Sequence, residues 1–184
     1  MSRFSKTPIA AAFGAALLAL ALTASLPAQA GKAHEHGVAK LDLALEGNVL
    51  SANLDTPLDN LLGFERAPRT DAERRAAAEL LQRLRKGEGV LSADAAAQCS
   101  FAKATVNAPV LEPAGATAGA KSEHADLEAS FEFRCAQPQQ LRAVELSLFD
   151  SFKRMQRIEV QVVGPQGQSK VTMRRPAKQV RLVR

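Results

Sequence analysis

Residues His124 to Cys135, HADLEASFEFRC, alternate without a break. Leu127, Ala129, Phe131, Phe133 and Cys135 project to one side, and His124, Asp126, Glu128, Ser130, Glu132 and Arg134 project to the other. Successive side chains leave a strand on opposite faces, so this pattern describes a strand with one buried face and one wet face. A slip of one residue would turn both phenylalanines into water, so the stretch specifies its own register. Cys135 falls on the buried face, while His124 and Asp126 lie at the far end on the polar one.

The chain has two cysteines, Cys99 and Cys135. In an exported protein such a pair points to one disulfide. If CSFAKATV, starting at Cys99, returns antiparallel as His124 to Cys135, placing Cys99 opposite Cys135 also sets Phe101 against Phe133 and Lys103 against Phe131. The bridge would close the open end of a long hairpin. A loop of that size stabilises by about 3–4 kcal/mol in the chain-entropy model. The competing reading, a thiolate metal site or redox pair, lacks a C-x-x-C and further sulfur or histidine close by.

Ahead of this hairpin, Leu41, Leu43 and Leu45 alternate with Lys40, Asp42 and Ala44; Gly47-Asn48 supplies a tight turn; Leu50, Ala52 and Leu54 resume the alternation. A two-residue turn sets Leu45 against Leu50, Leu43 against Ala52 and Leu41 against Leu54, so all six share one face. Thr56-Pro57 reads as an N-cap and first helical residue of a short helix ending at Gly63. A longer helix spans Glu73 to Lys86. Thr70 and Glu73 form its capping box, Ala77, Leu80, Leu81 and Leu84 its apolar stripe, and Gly87 its stop. Its other face, with Arg74, Arg75, Glu79, Gln82, Arg83, Arg85 and Lys86, reads as solvated, the late cations complementing the helix dipole.

Residues 107–123 turn to Asn, Pro, Ala, Gly and Thr and read as a flexible loop, too poor in large apolar groups to fold alone. Pro138 opens a short turn or helix. Val144, Leu146 and Leu148 then alternate as one strand, and Ile158, Val160 and Val162 as another that ends at Gly164-Pro165-Gln166-Gly167. Ser169 to Met173 returns from that turn, and Val180 and Leu182 suit an edge strand. The expected fold is an α+β single domain with a curved, mostly antiparallel sheet of about six to eight strands built from hairpins, one long helix packed on it and one disulfide.

Residues 1–30 have the form of a secretory signal peptide. Arg3 and Lys6 precede an apolar run from Ile9 to Leu22, and Ala28-Gln29-Ala30 gives a small-residue cleavage site. The run is short for a membrane span. A domain over residues 31–184 is then expected in the periplasm. Arg3 and Lys6 are the only charges removed, so the net charge of +5 falls to a mild positive value. With cations and acids interspersed and no Trp or Tyr to stack on bases, a nucleic-acid partner is not expected.

The three histidines are His34, His36 and His124. His34-x-His36 precedes the first strand in phase with its polar face; if the strand extends that far, both imidazoles project to one side, their Cα atoms about 7 Å apart. His124-x-Asp126 repeats the arrangement with a nitrogen and an oxygen ligand. Together His34, His36, His124 and Asp126 would complete a four-ligand N/O shell of the kind zinc takes. The bland reading is a set of ordinary surface histidines near a chain terminus. A copper site on the free amine is disfavoured, because cleavage before Gly31 makes His34 the fourth residue and that motif needs histidine third.

These residues carry a likeness. His34-Glu35-His36-Gly37-Val38-Ala39-Lys40-Leu41, Asn60-Leu61-Leu62-Gly63-Phe64-Glu65, His124-Ala125-Asp126 leading to Phe133 and Cys135, and Leu148-Phe149-Asp150 ahead of Arg157-Ile158-Glu159-Val160-Gln161 resemble the ZrgA-like family of zinc-regulated bacterial periplasmic proteins. The resemblance spans nearly the whole mature chain. It implies a periplasmic zinc-binding accessory to zinc uptake, with a zinc ABC-transporter component as partner and no enzymatic activity. It also carries His34, His36, His124 and Asp126 over as zinc ligands, with Glu35 and Glu128 in reserve. One departure stands out: the family often has a histidine-rich stretch before the HAD motif, whereas Asn107 to Glu123 contains no histidine.

Two other readings compete. A metal-independent interaction module would bind an envelope or transporter partner through the basic helix or the Pro/Ala/Gly loop. An enzyme is expected least, because there is no Gly-rich phosphate loop and no nucleophile elbow. Intact-mass measurement of the exported protein checks the domain boundary: a chain beginning at Gly31 is expected, and a mass that includes residues 1–30 would refute cleavage.

Overall fold

The computed structural model describes residues 35–112 and 125–182, all within one compact unit, Ala33–Arg184. The expected signal peptide, His34 and His124 lie outside the described residues. In chain order the elements are β1 (Val38–Glu46), β2 (Val49–Pro57), α1 (Leu58–Leu62), α2 (Asp71–Arg85), β3 (Leu91–Ala93), β4 (Cys99–Asn107), β5 (Asp126–Cys135), β6 (Ala143–Leu146), α3 (Leu148–Ser151), β7 (Arg157–Gly164), β8 (Gly167–Arg174) and β9 (Gln179–Arg181).

Among the described residues nine strands divide between two sheets. Six run in the order β4-β5-β2-β1-β7-β8, and three form a smaller sheet, β3-β6-β9. All pairings are antiparallel except β1 with β7, which is parallel and sets Leu41 beside Val160 and Leu43 beside Val162. The α+β class, the dominance of antiparallel pairs, the long helix and the disulfide all agree with the sequence expectation. Both sheets and all three helices feed one continuous core that includes Leu41, Leu54, Leu58, Leu84, Phe131, Leu146, Phe149 and Val160.

Local signals account for most of these elements. In the first hairpin Leu45 faces Leu50, Leu43 faces Ala52 and Leu41 faces Leu54, as the alternation requires. Cys99 is bonded to Cys135, and Phe101 faces Phe133 with the two rings edge to face, 5.8 Å between centroids. Lys103 faces Glu132 rather than Phe131, because a bulge between Phe101 and Lys103 inserts a residue into β4. With the bulge, the Lys103 ammonium lies 2.8 Å from the Glu132 carboxylate, and Ala104 takes the position opposite Phe131.

Three further boundaries differ from expectation. Thr56 is not the cap of α1; it stays buried in β2, and Pro57 takes the N-cap position because it still pairs with Asp126. Leu148 opens α3 instead of continuing β6, and with Phe149 it keeps the apolar alternation buried through a turn of helix. The first part of the Pro/Ala/Gly segment is ordered: Asn107 ends β4, and Pro109–Leu111 forms a 3-10 turn that buries Leu111. Residues 113–124 lie outside the described residues. Among the described residues no helix is long and apolar enough to cross a membrane.

The capping box of α2 is complete, with the Thr70 hydroxyl accepting from the Glu73 N–H and the Glu73 carboxylate accepting from the Thr70 N–H. Glu73 does more than cap. It holds Arg66 through two hydrogen bonds of 2.8 and 2.9 Å and accepts from the Arg69 N–H at 2.6 Å. The Arg66 guanidinium is the larger influence and the Arg69 N–H the next, and together they hold the Glu73 pKa down to about 2 from its ordinary 4.5. A carboxyl depressed on folding contributes stability above its unfolded pKa and loses it as pH falls through the folded one. The stability difference between the native protein and Glu73→Gln should therefore be full above about pH 4.5 and shrink towards pH 2. Urea unfolding of both proteins across that range checks this; a difference independent of pH would refute it.

Candidate metal centre

One end of the larger sheet takes the described residues of the HEHG and HAD segments. β1, β5 and β7 begin there, and β2 ends there. β5 and β1 both flank β2. Asp126 pairs with Pro57, and continuing the Lys40–Asp55 register brings Val38 level with the same proline. Two strand spacings, about 10 Å, therefore separate the start of the HAD strand from the start of the strand that follows HEHG. The disulfide sits at the opposite end, nine residues along β5 from Asp126.

Residues 35–37 of the HEHG stretch do not extend β1, as the phase argument for His34 and His36 required; His34 itself lies outside the described residues. Gly37 adopts φ 81°, and the Val38 N–H donates to the Glu35 carbonyl at 3.1 Å, closing a turn ahead of the strand. A positive φ suits glycine, and a Cβ there would also press on Gln156 Cγ at 3.4 Å. The Gly37 carbonyl accepts from the Gln156 and Arg157 N–H groups at 2.7 and 2.9 Å. The turn is thus tied to the start of β7.

Asn60 ties it to α1. This fully buried amide accepts from the Gly37 N–H at 2.6 Å and donates to the Val38 carbonyl at 2.8 Å and the Thr56 hydroxyl at 3.0 Å. Both polar atoms of the side chain are used, which is what makes a buried amide tolerable. The ring closes through Arg154, whose guanidinium donates to the Asp59 carboxylate at 2.8–3.1 Å. The turn before β1, the helix after β2 and the loop before β7 form one hydrogen-bonded unit.

His36 projects from this unit with its side chain 59% exposed, and its Nε2 lies 3.0 Å from Oε1 of Glu65, whose side chain is only 9% exposed. Glu65 stands in the short connection between α1 and α2. Gly63, in the left-handed conformation, ends α1 on one side of it. On the other side Arg66 is fixed by Glu73 and lies over the Phe64 ring, 5.1 Å from its centroid. The sequence reading did not single Glu65 out; its signal was its place two residues after the glycine stop, on a segment that must turn back over the strand ends.

Asp126 opens β5 partly buried on the outer face beside Pro57. The reserve carboxylates are placed differently. Glu35 is paired with Arg157 at 2.7 Å, and Glu128 is exposed opposite Asp55. Among the described residues no three His, Cys, Asp or Glu side chains converge on a single metal position. Two of the four expected ligands, His34 and His124, lie outside the described residues.

The molecule is thus an α+β protein that gathers histidine-bearing and carboxylate-bearing segments at one end of a six-stranded sheet. A model of the family described as ZrgA family zinc uptake protein matches residues 33–182, and the chain belongs to that family. Comparison with curated proteins finds no match.

Asn60→Ala removes all three hydrogen bonds and leaves the Gly37 N–H and Thr56 hydroxyl without that partner. A loss of about 2–3 kcal/mol in urea unfolding is expected. A variant as stable as the native chain would show that the clamp is dispensable.

Proposed function

We propose that this chain is a periplasmic zinc-binding protein, exported by its N-terminal segment, that serves zinc uptake by holding the ion and passing it to an uptake component such as that of a zinc ABC transporter. Family membership supports a role in zinc uptake. The observation that carries direct binding is topological: the strand that follows HEHG and the strand that follows HAD flank the same neighbour and start at the same end of the sheet. That arrangement supports a site drawn from both motifs, and His34, His36, His124 and Asp126 are the ligand set of this reading.

The reading is non-enzymatic: zinc is cargo here, and no catalytic step is assigned to it. A site for cargo needs ligands held well enough to select zinc and open enough to release it. The exposed His36, mounted on a turn that is itself pinned by buried hydrogen bonds, suits both demands.

Calorimetric titration of the exported, tag-free protein with zinc should give about one ion per chain at sub-micromolar affinity. His36→Ala and His124→Ala should each weaken binding by on the order of 100-fold. Native affinity in both variants would refute the ligand assignment, and absence of binding by the native protein would refute zinc carriage.

A further inference from the structure

We propose that the open edge of β8 pairs with β8 of a second copy of this chain, joining two six-stranded sheets into one across a two-fold axis at Val171. The surface lies at the edge of the larger sheet and takes no residue from the expected zinc ligands.

The edge is open and regular. β8 ends the six-stranded sheet, and among the described residues no strand lies beyond it. Its pairing with β7 runs without a register shift from Gly164–Gly167 to Arg157–Arg174. A two-residue turn closes on a hydrogen-bonded pair, so Gly164 and Gly167 exchange bonds and the pattern alternates from there. Ser169, Val171 and Met173 therefore turn their backbone N–H and C=O towards β7, while Gln168, Lys170 and Thr172 turn theirs outwards. A row of outward groups is a template for another strand. β4, at the opposite edge, is less suited: a bulge interrupts it between Phe101 and Lys103, and Gly87 lies so close to the Phe101 ring that a Cβ would meet it.

The side chains of β8 select the occupant. Val171 lies on the inner face with Met173, yet it is 39% exposed where Met173 is 5%, so the apolar row of β8 runs on beyond the covered core. Two copies pair antiparallel about a two-fold axis, and charge decides where that axis falls. An axis at Lys170 opposes two lysines, and an axis at Thr172 opposes Lys170 to Arg174; both are repulsive. An axis at Val171 places Lys170 of one protomer opposite Thr172 of its partner, Gln168 opposite Arg174, and the two valines opposite each other. Of the registers that keep the outward groups facing, this one is the longest without opposed like charges. The valines then form a non-hydrogen-bonded pair, the kind in which side chains approach most closely. Glu159 lies 3.4 Å from the Lys170 ammonium and tempers the cation that guards this edge. A register that complements itself favours a second copy over an unrelated strand.

Sedimentation equilibrium of the exported, tag-free protein is expected to show a monomer–dimer equilibrium in the micromolar range, as suits a contact made by one strand edge. Thr172→Pro removes an outward N–H without touching the β7 ladder, and it is expected to weaken the dimer at least about tenfold with an unchanged far-ultraviolet circular dichroism spectrum. The two native cysteines are bonded to each other, so an introduced thiol reports on the axis. Val171→Cys puts two thiols on Cα atoms about 4.5 Å apart and is expected to cross-link the dimer on mild oxidation. Ser169→Cys, four residues out of step with its counterpart, is expected not to. A native protein that stays monomeric to about 100 µM would leave the edge to a strand of another protein and overturn the inference. A dimer that Thr172→Pro leaves intact, or that cross-links no better through Val171→Cys than through Ser169→Cys, would overturn it as well.

Discussion

The structure depends on β1 being central. It is hydrogen-bonded along its length to β2 on one side and to β7 on the other, and its leucines enter the core on a single face. A strand with neighbours on both edges has no freedom to slip, because a shift of one residue would expose Leu41 and Leu43 and break two ladders together. Its starting point therefore becomes a fixed reference. The Asn60 amide bonds at that point, which is why a single buried side chain can govern the placement of a turn, a helix and a distant loop.

The α2 cap belongs to the same construction although it looks like an ordinary helix-start device. Glu73 satisfies the first turn of the helix and, through Arg66, also fixes the chain at the residue after Glu65. An exposed ion pair contributes little to stability in general. Here its geometric consequence matters more than its energy, because the segment between α1 and α2 is short and constrained at both ends. The presentation of Glu65 beside His36 follows from that constraint.

Much of the fold was legible because its signals are local or have period two. The first hairpin, the Cys99–Cys135 bridge, the capping box and β7–β8 each follow from residues close in sequence or from alternation that must share a face. The bulge at Phe101–Lys103 was not legible, since alternation on β4 is broken by one residue whose cost is repaid across the sheet by Glu132. The parallel pairing of β1 with β7 was hidden as well, because the connection between them is most of the chain and neither strand carries a mark of its partner. For the same reason the sequence could not show that the strands following HEHG and HAD flank the same neighbour. Glu65 was overlooked because a lone glutamate after a glycine stop has no pattern; only the return of the chain over the strand ends gives it meaning.

Placing the chemistry at a sheet end rather than in a loop also answers the departure from the family pattern. Asn107 to Glu123 contains no histidine, so this chain has no flexible reservoir of imidazoles with which to gather several ions. A histidine-rich loop gains affinity by number and pays for it in ordering; a few ligands on strand starts and a pinned turn gain it by preorganisation and are limited to a small, fixed stoichiometry. The hydrogen bonds that converge on Gly37 and Asn60 have the character of the second kind. On the proposed zinc-binding reading, the absence of loop histidines would shift the demand for selectivity onto the geometry at the end of the sheet, where a mixed nitrogen and oxygen ligand set would distinguish metals by shape as well as by softness.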